Sequence, residues 1–497
     1  MRLRSFFTRG RLAALGVVAS LGVADACWLE PYRLLVREEV RLPLAASPLS
    51  VIHLSDLHIA SESIVERRLL RRVAAEQPDL ILLSGDLISD SKSGTKVMAH
   101  TRAALAVLRE LAAIAPLYAV QGHSEYHGWV VAQLGASGLT WLSNEGRLVG
   151  GAQPVLLLGL NQQVGRDELV SEPEPPLAPL TVDGRGAYGR ALSGKPNHYS
   201  HYDPDPASLT DEPAPYAWSG YEVSCELRFA DRDSEGALTL HSRYPLGEDR
   251  MLTFGRSSPD DGSSSSFLLF GHGTGMSEGS FDTGIEPEPG RWYRLRVRTR
   301  TSPEAVRVEA RVWAAGEPEP EGWQAWGVDR TPERLPAGTV GFWAREGAVA
   351  YRDLRVTAAD GTVLLADPLA GPEPPRGFRN GPRGTRLELA LARSPAVPAG
   401  TPTLVLTHVP DPILEAAERG IDAMLAGHTH GGQVRMPGFA LVTRTPLGRS
   451  FDRGVFDLPR ANPRGSTRLY INSGVGMSWL PIRFLCPPKY AVVKIGI

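Results

Sequence analysis

The sequence predicts an α/β protein split in two by an all-β sandwich. Three observations carry this. Between residues 49 and 120, apolar runs of strand length alternate with segments of helical spacing. Each run ends in a polar cluster: Asp56-Leu57-His58, then Gly85-Asp86, then Gly122-His123-Ser124-Glu125. The same alternation returns from residue 387 onward. In between, from residue 221 to 356, the apolar period changes to two. Short buried runs alternating with helical segments build a βαβ sheet, whereas period-two alternation builds antiparallel sheets with one wet face.

Composition sets the frame. The 497 residues exceed one ordinary domain, so two domains with linkers are expected. An apolar fraction of 42% and a charged fraction of 22% allow sizeable cores. A formal net charge of −2 gives no general case for nucleic-acid binding, and no nucleic-acid partner is expected. The three cysteines, Cys27, Cys225 and Cys486, have no CxxC spacing, which argues against a zinc ribbon and a disulfide scaffold. No internal repeat is visible, which argues against a solenoid.

Residues 1–11 hold Arg2, Arg4, Arg9 and Arg11 and no acid, and Leu12 to Ala24 is then uninterrupted apolar or small. A basic segment ahead of an apolar one is an export signature. The run falls short of the roughly 20 residues of a full span. An uncleaved membrane anchor, a signal cleaved near Ala24-Asp25-Ala26, and a buried helix stay open as readings. Charge ahead of the apolar run places the bulk of the chain outside the cytoplasm. The expected division is 1–29 signal or membrane anchor, 30–170 first α/β half, 171–376 linkers and sandwich, and 377–497 second α/β half.

In the first half, Leu49 to Ser55 reads as a buried strand that ends at Asp56 and His58. Ile64 to Gln77 has helical spacing, with Leu69, Leu70, Val73 and Ala74 on one face. Leu80 to Leu83 is a second strand that ends at Asp86. Val97 to Ala113 is helical, and Leu117 to Val120 is a third strand that ends at His123. Ligands of open α/β sheets bind beyond the carboxyl ends of strands. One Asp after a strand is usually a helix cap; three successive strand ends with Asp, His and Gly clusters are hard to explain that way.

Two acidic, Pro-rich stretches, Glu172–Pro176 and Pro372–Pro375, read as linkers. Between them, Tyr221, Val223, Cys225, Leu227 and Phe229 alternate with polar residues. So do Tyr293, Leu295 and Val297 with Arg294, Arg296, Arg298 and Arg300. The sandwich resembles concanavalin-like or laminin-G-like jelly rolls, through Trp292-Tyr-Arg-Leu295, Gly338-Thr-Val-Gly-Phe-Trp343 and Tyr351-Arg-Asp-Leu354. Such sandwiches often bind glycans, so a glycan at this insertion is the partner the resemblance implies. Glu222 and Glu226 read as a solvated strand face, and Asp231 and Asp233 as a turn. The arginine ladder reads as a solvated face or a polyanion site. Cys225 reads as core. Trp218, Trp292, Trp313 and Trp343 read as core or as sugar-stacking surfaces.

After Pro375, Leu387 to Ala392 and Pro412 to Glu418 are helical, and Thr403 to Thr407 is a strand that ends at His408. Ala423 to Ala426 leads into Gly427-His428-Thr429-His430-Gly431-Gly432-Gln433. Histidines at i and i+2 on an extended segment or a tight loop leaving a strand point the same way, which is a metal-ligand arrangement.

Taken together, Asp56-x-His58, Gly85-Asp86, Gly122-His-Ser-Glu125, Thr407-His408 and Gly427-His-Thr-His430 resemble the calcineurin-like metallophosphoesterase superfamily. Glu30-Pro31-Tyr32, Gly427-His-Thr-His-Gly-Gly-Gln433 and the tail Pro481-Ile-Arg-Phe-Leu-Cys-Pro-Pro488 resemble a membrane-anchored bacterial subgroup of it. The resemblance covers residues 30–165 and 385–497 and implies an αββα sandwich, here interrupted by the all-β domain. It implies a phosphodiesterase or pyrophosphatase working with two divalent metal ions, manganese, iron, zinc or cobalt. Asp56, His58, Asp86 and His430 would hold the first ion, Asp86 would bridge, and His408 and His428 would hold the second. The implied substrate is a phosphorylated small molecule or a lipid-linked or nucleotide-sugar pyrophosphate. That includes the UDP-diacylglucosamine step of lipid A synthesis, whose cytoplasmic side conflicts with the topology above.

One motif departs from the family. Gly-Asn-His-Asp/Glu is usual where this chain has Gly122-His123-Ser124-Glu125. The family's Asn binds the second metal and its His protonates the leaving group. Three readings stay open: His123 ligates while the acid is missing or is supplied by His127 or Tyr126; His123 turns to act as the acid; or the site is weakened and used for binding. Ser473 also replaces an Arg of the subgroup, with Arg483 as a substitute phosphate contact or a structural residue. The rival reading of the whole chain is a surface glycan-binding protein with a degenerate phosphoesterase core.

Overall fold

The computed structural model describes residues 22–496 apart from 92, 126–127, 163–176, 191–197, 204–216, 247–249, 258–264, 273, 277, 332–333, 346, 381–383, 443–444, 446, 448–450, 461–464 and 479. The linker Glu172–Pro176, Tyr126, His127 and most of the N-terminal apolar run lie outside the described residues. The chain falls into two compact units. One comprises Met1–Tyr126, Gln133–Gln163 and Ala390–Ile497; the other comprises His127–Ala132 and Val164–Leu389.

The first unit holds two six-stranded sheets. In one, the parallel strands Leu49–Leu54, Leu80–Leu83, Leu117–Ala119 and Thr140–Trp141 lie side by side. Lys489–Ile495 runs antiparallel to Leu49–Leu54, and Val36–Leu42 completes the edge parallel to it. In the other, Val155–Leu160, Thr403–Thr407, Ala423–Ala426 and Ser466–Ile471 are parallel, with antiparallel strands Glu145–Val149 and Gly454–Pro459 at the edges. The sheets pack face to face through Val51, Leu82 and Val493 from one and Leu157, Leu406 and Leu425 from the other. Helices Ile64–Glu76 and Gly94–Ile114 bury Leu69, Val73, Leu108 and Leu111. Ser63 and Glu66 form a reciprocal capping box that starts the first of these helices. The second starts at Gly94, earlier than the apolar pattern indicates. No helix among the described residues is long and apolar enough to cross a membrane.

The second unit is a sandwich of a six-stranded and a nine-stranded sheet. Its core joins Leu238, Phe254 and Phe342 to Val223, Leu295, Val308 and Tyr351. The expectation of one wet face holds for the larger sheet. It fails for the smaller one, whose strands Gly236–Ser242, Met251–Arg256 and Thr339–Ala344 are buried throughout. The reason is a second apolar layer, Tyr199, Ala237, Met251 and Trp343, on the face away from the core. Pro372–Pro375, read above as a linker, stands between two sandwich strands: Val363–Asp367 pairs with Val349–Ala358, and Phe378–Arg379 with His198–Tyr202. Proline suits this place because it withholds the ladder N–H.

Candidate metal centre

Every expected ligand lies just past the carboxyl end of a parallel strand. Asp56 and His58 follow Leu49–Leu54, Asp86 follows Leu80–Leu83, and His123 follows Leu117–Ala119. His408 follows Thr403–Thr407, and His428 and His430 follow Ala423–Ala426. The backbone there is not extended. Asp56, His58, Asp86, His428 and His430 all have positive φ, between 43° and 67°. Such angles are costly for residues with a Cβ and concentrate at functional sites. The i, i+2 histidines therefore do not point the same way. His430 starts a tight turn capped by the Thr429 hydroxyl, and the pair divides between two groups of ligands.

The first group is Asp56, His58 and His430, and the second is His123, His408 and His428; within each, one donor atom per residue lies within 4.8 Å of the others. Asp86 stands between them, with one carboxylate oxygen 3.5 Å from His58 Nε2 and 3.5 Å from His408 Nε2. His430 Nε2 lies 3.4 Å from Asp56 Oδ1 and 3.2 Å from His58 Nε2. The His123 ring lies 5.0 Å from that of His408 and 4.8 Å from that of His428.

The residues fit divalent metal. Two imidazole nitrogens facing each other at 3.2 Å need a proton or a cation between them. Asp56 Oδ1 and His408 Nε2 are buried without a hydrogen-bond partner among the described residues, which is costly unless something else engages them. Mixed imidazole and carboxylate donors suit first-row divalent ions. His408 Nδ1 sits 2.8 Å from the Ser84 carbonyl, so it carries the proton and leaves Nε2 a lone pair.

Electrostatics agree with this placement. Burial alone would raise the Asp86 carboxyl, but the His408, His58 and His123 rings together hold it far below the usual range. Burial raises the Asp56 carboxyl and lowers His430, with His58 and Arg483 adding to the second effect.

Sequence reasoning assigned no role to Glu125, although it quoted the motif. Its buried carboxylate accepts from the backbone N–H groups of Leu87 at 2.6 Å, Gly122 at 2.8 Å and Asp86 at 3.1 Å. Asp86 Oδ1 in turn accepts from Ser124 N at 2.9 Å. Glu125 therefore ties two ligand loops together. Gly122 must be glycine because a Cβ there would overlap the Asp86 amide and carboxylate. Ser124 is buried, and its Oγ has no hydrogen-bond partner among the described residues. Arg483 is fully buried. It donates to the carbonyls of Ser473, Gly474, Gly476 and Cys486, which gives it a structural place and removes it from any phosphate.

A cavity of about 680 Å³ opens over the centre. Asp86, His123, His428 and His430 line one side, and Val434, Leu441, Val442, Leu480 and Ile482 the other.

On the sandwich, the arginine ladder is met by carboxylates: Arg294 with Glu226, Arg296 with Glu222 and Glu319, Arg298 and Arg300 with Glu309. Cys225, Trp313 and Trp343 are buried, and Arg352 lies 3.9 Å over the half-buried Trp292 ring.

Residues 49–190 match the family described as calcineurin-like phosphoesterase. The chain is 36% identical over 93 residues to the uncharacterized metallophosphoesterase YkuE of Bacillus subtilis, covering 19% of this chain and 30% of that one. It is 34% identical over 101 residues to the phosphodiesterase YaeI of Escherichia coli, covering 20% of this chain and 35% of that one. It is 32% identical over 99 residues to the UDP-2,3-diacylglucosamine pyrophosphatase LpxG of Chlamydia trachomatis, covering 19% of this chain and 29% of that one. The matched segment spans about a third of the length of these relatives. The chain carries a calcineurin-like metallophosphoesterase domain, interrupted by a β-rich insertion.

Proposed function

We propose that the α/β unit is a phosphoesterase that hydrolyses a phosphodiester or pyrophosphate with two divalent ions bound. The observation that carries this is Asp86, whose one oxygen is 3.5 Å from a ligand nitrogen of each group. A carboxylate between two histidine-rich groups suits a pair of metals about 3.5–4 Å apart. Asp56, His58 and His430 would hold one ion and His123, His408 and His428 the other, and the chemistry gained would be Lewis-acid polarisation of the phosphoryl oxygens and a hydroxide at neutral pH. The chain's own residues do the positioning. Glu125 fixes the loops of Asp86 and Gly122, the Ser84 carbonyl orients His408, and Val434, Leu441, Val442, Leu480 and Ile482 give the cavity an apolar side.

We infer that His123 takes the ligand place of the family's Asn, since its ring lies against His408 and His428. Ser124 does not line the cavity, and its Oγ is buried, so it gives no proton to a leaving group. His127 and Tyr126, the other donors considered, lie outside the described residues. A missing acid costs about 10²–10⁴ in rate for a poor leaving group. It costs far less for a nucleoside phosphate, which departs without a proton. That supports a nucleotide-sugar or lipid-linked pyrophosphate as substrate, in keeping with the name of LpxG. The same buried Ser124 favours a second reading, a glycan-binding protein with a weakened core; a glycan array with the full chain tests it, and a blank array removes its support.

With manganese, the purified protein should hydrolyse bis(p-nitrophenyl) phosphate, and Asp86→Asn should lower kcat/KM at least 10²-fold. A protein that binds its metal fully yet shows no metal-dependent turnover overturns the proposal.

A further inference from the structure

Seventeen large apolar side chains stand exposed among the described residues. Nine of them fall in three short segments: three in 22–33, four in 434–442 and two in 480–485. Exposed apolar side chains scattered singly need no explanation, but a contiguous patch marks a contact surface.

These segments are joined by their backbones. Arg483 N donates to the Ala26 carbonyl at 2.9 Å, and Cys486 N to the Glu30 carboxylate at 3.1 Å. Arg435 N donates to the Phe484 carbonyl at 3.0 Å, and Phe484 N to that of Gln433 at 3.0 Å. The patch is therefore one face of one unit. Its outermost part is the hairpin of Arg435–Met436 and Phe439–Ala440, turned through Pro437-Gly438. Arg435 and Ala440 face inward, while the paired Met436 and Phe439 are 46% and 49% exposed. No residue from Met436 to Val442 carries a charge. The patch runs without a break into the cavity over the metal centre, whose wall includes Leu441, Val442 and Leu480.

We infer that this face docks on the surface of a phospholipid bilayer, with the hairpin tip in the interfacial layer and the cavity opening toward the lipid. Three features single out a bilayer as the occupant. In the sequence, Trp28 and Leu29 follow closely on the apolar run Leu12–Ala24, which four arginines precede. Trp28, 56% exposed, carries the Arg33 guanidinium 4.5 Å over its ring, an amphipathic pair suited to a lipid headgroup layer. The tip is small, apolar and uncharged, so it enters an acyl boundary without desolvating a charge. The docking does not need the proposed hydrolysis.

The test uses the full chain with Cys27→Ser and Phe439→Cys, labelled with an environment-sensitive fluorophore. Cys225 and Cys486 are buried and stay unlabelled. A second chain carries the label at exposed Glu304 of the sandwich through Glu304→Cys. Adding vesicles of phosphatidylethanolamine and phosphatidylglycerol should shift emission at 439 to the blue and leave 304 unchanged. Met436→Ser with Phe439→Ser should weaken vesicle partitioning at least tenfold, on the order of the loss of one buried large apolar side chain. Its thermal unfolding should match the parent. Two results overturn the inference: a vesicle-bound chain whose 439 label stays in water, or a 439 shift that follows protein concentration without vesicles, which would make a second copy the occupant. Turnover of the soluble diester, read on the same samples, reports separately on the proposed hydrolysis.

Discussion

Replacing Arg483 with Met tests whether the metal centre rests on a buried cation rather than on a phosphate-binding arginine. Arg483 is fully buried, and its donors are spread over four backbone carbonyls on the loop that closes the centre. The Gly474 carbonyl also accepts from Lys489 N and keeps that bond in the variant. The carbonyls of Ser473, Gly476 and Cys486 lose their donor. A buried acceptor left unsatisfied costs about 1–3 kcal/mol, so three cost on the order of 3–9 kcal/mol. Methionine restores part of the packing but none of the donors. A domain's whole stability is about 5–15 kcal/mol, so the variant should be marginal, with Tm lower by roughly 10 °C or more. Thermal unfolding followed by circular dichroism measures this. Arg483→Lys keeps the charge and some of the bonds and should fall between the two. An Arg483→Met chain within about 1 kcal/mol of the parent, but weakened in phosphate binding, refutes the structural assignment.

Two further predictions concern other parts of the chain. Burial pushes the pKa of His201 down to about 3 and that of His241 down to about 4, below the ordinary 6.5. These sandwich histidines are neutral when folded and protonate first when unfolded. Their stabilisation is therefore present above pH 6.5 and is lost as pH falls toward 4, at about 1.4 kcal/mol per histidine per pH unit within that window. In an NMR titration the carbon-bound ring protons of both should keep their neutral shifts at pH 5, and a midpoint near 6.5 for either counts against this. Gly122→Ala drives a Cβ into the Asp86 amide and carboxylate. Displacing that carboxylate by about 1 Å should cost on the order of 10² in kcat/KM with the fold intact by circular dichroism; an unchanged rate contradicts the role given to Asp86.

Much of the α/β unit was legible because its parallel strands are buried on both faces. Leu80–Leu83 reads as an apolar run in the sequence and is fully buried in the structure. The candidate ligands were legible because each follows such a run. The backbone that aims them was not. Five have positive φ, which side-chain type does not reveal. Asp56 and His58 fall in one donor group, as an i, i+2 pair on one side would, whereas His428 and His430 divide between two. The strand Val36–Leu42 was missed because Arg37, Glu38, Glu39 and Arg41 hide its apolar positions, and its partner lies at the far end of the chain. In the sandwich, alternation revealed Tyr221–Phe229 and Trp292–Thr301, which line a half-solvated sheet. It could not reveal Gly236–Ser242 or Met251–Arg256, since a strand covered on both faces has no period-two signal. Glu125 was visible as a letter but not as a clamp, because its partners are backbone N–H groups, which carry no sequence signature.

At the root of the proposed function, one carboxylate and two donor groups hold a pair of ions. A crystal structure of the manganese-loaded protein, with anomalous difference density, measures this directly. Two peaks about 3.5–4 Å apart are expected, with Asp86 between them. Asp56, His58 and His430 should surround one, and His123, His408 and His428 the other. A single peak, or two peaks with His123 turned away from both, would contradict it.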